Sequence, residues 1–169
     1  LDGTLLNTLD DLGDSVNAIL LRHGFPKRSP LEVKRFLGNG VGALMRLAVP
    51  ETCTDEEVAA YLKEFKEHYE QNMENKTRPF DGIMELLLDL HRYSYHTAIV
   101  SNKFDLAVKA LAKTYFGNLI PVAIGESLNV RRKPAPDSVF TAIKELGSDI
   151  KKTIYVGDSE VDVLTAKNA

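Results

Sequence analysis

Thr97-Ala98-Ile99-Val100-Ser101-Asn102 is a short apolar run closed by two polar residues. Its length is too small for a helix, and its β-branched side chains suit a buried strand. The flanking segments alternate around it. A helical pattern covers residues 83–91 before the run and 106–115 after it. Pro121-Val122-Ala123-Ile124 is a second apolar run, and a helix over 137–146 stops at Gly147. Thr153-Ile154-Tyr155-Val156 reads as a further strand, leading through Gly157-Asp158 into a last helix. Strands alternating with helices across short connections predict an α/β fold with a parallel sheet covered on both faces. In such sheets ligands gather at the carboxyl ends of the strands.

The chain before Pro79 has a different texture. Leu12, Val16, Ile19 and Leu20 recur at helical spacing, with Thr8 placed as the N-cap and Gly24 as the stop. Ser29-Pro30-Leu31-Glu32 is a capping box with proline at the first helical position, opening a short helix that ends at Gly38-Asn39-Gly40. A third helix follows through Met45. Thr54-Asp55-Glu56-Glu57 repeats the capping box ahead of a long helix whose Val58, Leu62, Phe65, Tyr69 and Met73 share one face. The expected organisation is a Rossmann-like core of residues 1–9 and 79–169, with an α-helical insertion over 10–78. The chain opens on Leu1 and stops at Ala169 inside a helical pattern. The expectation is therefore a fragment lacking the start of the first strand and the C-terminal part.

Composition narrows the function classes. With 44% apolar and 27% charged residues and a net charge of −3, the 169-residue chain has the balance of an ordinary globule. Its longest basic block, Arg131-Arg132-Lys133, is too small an electrostatic footprint for nucleic acid. No apolar run approaches the roughly 20 residues that span a bilayer. The single cysteine, Cys53, excludes an internal disulfide and a cysteine-rich metal site. His23, His68, His91 and His96 show no metal-ligand spacing and read as structural. A cytoplasmic protein, monomeric or homodimeric, without nucleic-acid or membrane partners, is expected.

The chemistry-bearing residues sit at strand ends: Asp2, Ser101-Asn102, and Asp158 with Asp162 one helical turn later, while Lys133 precedes another helix. Taken singly, Ser101 reads equally as a turn or helix cap, Asp158 as an N-cap and Lys133 as a solvated surface residue. Asp158 and Asp162 share a helix face, where two carboxylates repel unless a cation, either a divalent metal or Lys133, lies between them.

Taken in order, four segments resemble the signatures of the haloacid dehalogenase superfamily. They are Leu1-Asp2-Gly3-Thr4-Leu5, two apolar residues before Ser101-Asn102, Lys133-Pro134, and Gly157-Asp158 followed by Asp162. The helical insertion between the first and second is similar to the small helical cap of some members. Leu5-Leu6-Asn7-Thr8 and Phe80-Asp81-Gly82 look like the phosphoglycolate phosphatase-like branch.

The resemblance implies hydrolysis of a phosphomonoester through an aspartyl-phosphate. The family's first motif reads Asp-x-Asp-Gly-Thr; Asp2 stands at its second aspartate, the acid/base, and the nucleophile is expected immediately before Leu1. A phosphomonoester carries about two negative charges, so an attacking carboxylate needs a cation beside it, and Mg2+ suits hard oxygen donors. By resemblance, Asp158 and the carbonyl of Asp2 are the metal ligands, and Gly3, Thr4 and Asp162 support them. Ser101, Asn102 and Lys133 bind the phosphoryl group, with Lys133 also catalytic. The implied substrate is a small phosphorylated metabolite, phosphoglycolate-like, selected in the cap by Gly38 and by Arg46, whose guanidinium suits a carboxylate. The alternatives are a sugar phosphomutase of the β-phosphoglucomutase type and, if the upstream Asp is absent, a non-catalytic binding module of the same fold. Asn7 stands where many relatives of this branch carry Asp, and its reading is that of a turn residue.

Overall fold

The computed structural model describes all residues, Leu1–Ala169. In chain order the elements are β1 (Leu6–Asn7), α1 (Leu9–Arg22), α2 (Pro30–Phe36), α3 (Gly40–Ala48), α4 (Asp55–Asn72), β2 (Arg78–Pro79), α5 (Ile83–Arg92), β3 (Ala98–Phe104), α6 (Asp105–Phe116), β4 (Val122–Glu126), α7 (Asp137–Glu145) and α8 (Glu160–Asn168). They divide into two compact units, one of Leu1–Leu6 with Pro79–Ala169 and one of Asn7–Arg78.

The second unit is a helical bundle. Both expected capping boxes form: Ser29 accepts from the Glu32 amide and Thr54 from the Glu57 amide, with each glutamate returning to the cap backbone. Thr8 caps α1 by position only; Asn7 Oδ1 instead accepts from Leu9 N at 3.4 Å, the local side-chain turn open to asparagine. The apolar stripes close on one another, with Val16, Leu20, Val33, Leu44, Met45, Phe65 and Tyr69 all fully buried. Phe65 and Tyr69 stack at 5.7 Å. Asp11, buried in α1, accepts from Lys76 N and Thr77 N and so holds the end of the unit's last loop.

In the first unit β3 and β4 pair in parallel, and α6 and α7 each pack on both strands. Val122, Ile124 and Ala142 form the centre of that packing, with Ala98, Val100 and Leu146 beside them. The register runs Ala98 with Val122, Ile99 with Ala123 and Val100 with Ile124, then jumps to Phe104 with Glu126. Four residues of β3 thus cover what two of β4 cover. Ser101, Asn102 and Lys103 lie in that excursion, and such irregularities re-aim side chains. Gly125 faces it closely enough that a Cβ there would collide with the backbone of Asp105.

Two expectations are corrected. The strand does not end at Ser101-Asn102 but continues to Phe104, with both residues inside it. Thr153–Val156 forms no strand, because no neighbouring strand hydrogen-bonds to it, and Ile154 and Val156 are 88% and 75% exposed. An apolar run becomes a strand only where a ladder partner takes its N–H and C=O groups.

Candidate active site

Asp2, Gly3 and Thr4 lie in the turn that opens the chain, where Gly3 N donates to Leu6 O at 3.0 Å. Gly3 has φ +78, and a Cβ on it would run into the carboxylate of Asp158. Glycine is therefore required twice over, by the left-handed backbone and by the close approach. Thr4 Oγ1 donates a short hydrogen bond to Asp158 Oδ1, which ties this turn to the segment before α8.

The β3 excursion supplies the next group. Ser101 and Asn102 are buried, and Ser101 Oγ accepts from Lys103 N at 3.2 Å. The Asn102 amide pairs with one peptide unit of Lys133 in both directions: Oδ1 accepts from Lys133 N at 2.8 Å and Nδ2 donates to Lys133 O at 3.1 Å. This holds the lysine loop against the strand.

Lys133 Nζ then reaches Asp162 Oδ1 at 2.6 Å and Tyr155 Oη at 3.3 Å, and Tyr155 donates to the same carboxylate oxygen at 2.8 Å. The other oxygen of Asp162 accepts from Ser159 Oγ at 2.6 Å and from the amides of Ser159 and Asp158. Burial pushes the Asp162 carboxyl up, but its hydrogen bonds from Lys133, Ser159 and Tyr155, with the Lys133 charge, together hold it well below the usual carboxylate range. Burial, then the bond to Asp162, pushes the Tyr155 phenol well above its ordinary value. Both groups thus stay in single protonation states at neutral pH.

These contacts close into a ring. It runs from Asp2 to Lys103 (3.1 Å), past Ser101 and Asn102 to Lys133, to Asp162, to the Asp158 amide, and through Thr4 back to the first turn. Four segments far apart in sequence are thereby joined, and all of Asp2, Gly3, Thr4, Ser101, Asn102, Lys133, Asp158 and Asp162 belong to it. Asp158 and Asp162 do not share a helix face, since α8 begins at Glu160 and Asp158 lies ahead of its N-cap Ser159; Lys133 pairs with Asp162, and Asp158 is held by Thr4. Gly38 and Arg46 belong to the helical unit. Gly38 has φ +109, and Arg46 donates to the carbonyls of Cys53 and Pro50 at 2.7 and 2.9 Å. Those bonds leave guanidinium N–H groups over.

Three residues at or beside the ring carry no catalytic signature in the sequence. Ser159 was legible, since Ser159-x-x-Asp162 has capping-box spacing, and the box forms. Tyr155 lies within the apolar run 153–156, which by itself reads as a strand. Lys103 was hidden by its place after the Ser-Asn pair, although a lysine inside a buried strand is itself a signal.

Of the three site carboxylates, Asp2 and Asp162 have lysine partners, whereas Asp158 has the Thr4 hydroxyl and is exposed. No cluster of three histidine, cysteine or acidic side chains is preformed for a metal. A hard ion that keeps several waters and takes one or two carboxylates plus phosphate oxygens fits the exposed Asp158 carboxylate, which no lysine neutralises.

Comparisons with known proteins place the chain in a family. The model of the haloacid dehalogenase-like hydrolase family matches residues 1–169. A phosphoglycolate phosphatase of Mesorhizobium japonicum is 32% identical over all of this chain and 76% of its own length. An N-acetylmuramic acid 6-phosphate phosphatase of Pseudomonas aeruginosa is 26% identical over all of this chain and 75% of its own. A crystal structure from Lactobacillus delbrueckii subsp. bulgaricus superposes with a TM-score of 0.91 at 34% identity, over 99% of this chain and 79% of that one. A family match over the whole length, with relatives of this identity and coverage, identifies the chain: it belongs to the haloacid dehalogenase-like hydrolases, as a phosphatase acting on phosphoric monoesters.

Proposed function

We propose that the chain hydrolyses a small phosphorylated metabolite, phosphoglycolate-like, through an aspartyl-phosphate with Mg2+, in the cytoplasm. The closed ring of contacts carries this reading. It gathers the groups that phosphoryl transfer needs without placing an uncompensated buried charge among them. The attacking carboxylate belongs, on this reading, to the residue immediately preceding Leu1. Asp2 donates a proton to the leaving oxygen as the P–O bond breaks, and its carboxylate then takes a proton from the water that attacks the phosphorylated aspartate. Ser101 and the Asn102 backbone hold phosphoryl oxygens. Lys133, aimed by Asn102 and Asp162, places its positive charge on the transferring group, where charge-assisted contacts strengthen in the transition state. Mg2+ would be held by Asp158 and the Asp2 carbonyl, and when bound it screens the phosphate charge from the incoming carboxylate.

Substrate selection falls to the helical unit, with Gly38 and Arg46 as its residues. Arg46→Ala is expected to lower kcat/KM for phosphoglycolate more than for a neutral aryl phosphate, since remote binding groups position the cognate substrate. The reading itself is tested with the full-length protein and Mg2+ on phosphoglycolate, N-acetylmuramic acid 6-phosphate and p-nitrophenyl phosphate. Release of inorganic phosphate from all three, highest kcat/KM on phosphoglycolate, is the expected result. Conversion of a hexose 1-phosphate to the 6-phosphate without phosphate release would make the protein a mutase, and no turnover of any ester would make it a binding module.

A further inference from the structure

Lys103 is a buried cation that none of the roles above uses. Its side chain is 2% exposed, against 25% for Asp2, whose Oδ1 it meets at 3.1 Å. Lysine is almost never so buried without a partner. Its position is fixed from three sides. The register jump between Val100 and Phe104 takes it out of the regular ladder, Ser101 Oγ accepts its amide N–H, and Gly125 gives its backbone room opposite. A long flexible side chain is thereby set against the Asp2 carboxylate.

We propose that Lys103 is the positioning residue of Asp2, holding its carboxylate in one orientation for proton transfer. An ammonium is a donor only, and its N–H on Oδ1 fixes that end of the carboxylate. As the substrate P–O bond breaks and the new P–O bond to the aspartyl nucleophile forms, a proton passes from Asp2 to the leaving alkoxide. As water adds to phosphorus and the aspartyl P–O bond breaks, one water proton returns to Asp2 and inorganic phosphate leaves. Lys103 keeps its own protons throughout. This inference rests on the reading of Asp2 as acid/base.

The test is the dependence of kcat/KM on leaving-group acidity, measured on full-length protein with Mg2+ across alkyl and aryl phosphates. Alkyl leaving groups need the proton, whereas p-nitrophenolate leaves without it. Lys103→Met should lower kcat/KM for alkyl esters by about 30- to 100-fold and for p-nitrophenyl phosphate by less than about threefold, within the range of general acid catalysis. Asp2→Asn should show the same selectivity for alkyl esters with a larger loss, up to about 10⁴-fold. The Asp2→Asn/Lys103→Met double variant, which removes both charges and so folds even where the single lysine variant does not, should be no slower than Asp2→Asn alone. An equal loss across all esters for Lys103→Met, or losses that multiply in the double variant, would make the lysine merely structural and overturn the proposal. A flat response in Asp2→Asn itself would instead overturn the acid/base reading on which it rests.

Discussion

The two units bury different things. In Asn7–Arg78 the fully buried side chains are overwhelmingly apolar, Leu12, Val16, Ile19, Leu20, Leu44 and Phe65 among them. In the other unit the buried set includes Ser101, Asn102, Lys103 and Asp162, while Leu106, Ile154 and Val156 stand 70%, 88% and 75% exposed. The helical bundle repays burial mainly with apolar contact, and its buried Asp11 is met by the Lys76 and Thr77 amides. The candidate site must bury more charge, and does so without large cost only when each carboxylate meets a donor. Substitutions in the bundle should therefore act on stability, and those in the ring on chemistry or on both.

The largest effect should come from Lys133→Ala, which strikes both. Asp162 would be left buried without its cation, costing about 3–5 kcal/mol in urea unfolding, and kcat should fall by about a hundredfold or more. Phe65→Ala sharpens the contrast from the other side. Removing a fully buried, stacked ring should cost about 3–5 kcal/mol by the same measurement. A loss of well under 1 kcal/mol would show that the bundle does not depend on its core. Asp158→Asn should leave unfolding nearly unchanged but weaken Mg2+ binding at least tenfold, or about 1.4 kcal/mol, by isothermal titration calorimetry. Untouched Mg2+ affinity would remove Asp158 as the ligand.

The smallest expected effect concerns acid. Arg22 and His23 hold the Glu64 carboxyl below its usual value, with Arg22 the main cause. Its folded pKa being depressed, Glu64 contributes stability above its unfolded pKa and loses it as pH falls through the folded one. Glu64→Gln should thus narrow the gap between unfolding free energies at pH 7 and pH 3 by a small amount, and a wider gap would reverse the sign assigned here.

Much of this was legible in the sequence because it is local. The capping boxes at Ser29, Thr54 and Ser159, the helical stripes of the bundle and the apolar runs of β3 and β4 depend on spacing within one segment. The site residues were legible as an ordered set, but what each side chain does was not. The Asn102 amide grips the Lys133 backbone, and Lys103 turns to Asp2, only because the β3 register jumps, a property of two strands together. Thr153–Val156 shows the converse, for an apolar run specifies a strand only if a neighbour is there to pair with it.

Asp2 is the residue on which the proposed acid/base chemistry depends most directly. Full-length wild type and Asp2→Asn should be compared for phosphate release from phosphoglycolate with Mg2+, alongside thermal unfolding followed by circular dichroism. The expected result is a loss of kcat of about 10²- to 10⁴-fold, the range of general acid–base catalysis, in a chain that still unfolds cooperatively but at a lowered Tm, because buried Lys103 loses its carboxylate partner. Wild-type turnover in Asp2→Asn would contradict the central claim, because the ring of contacts would then hold no acid/base.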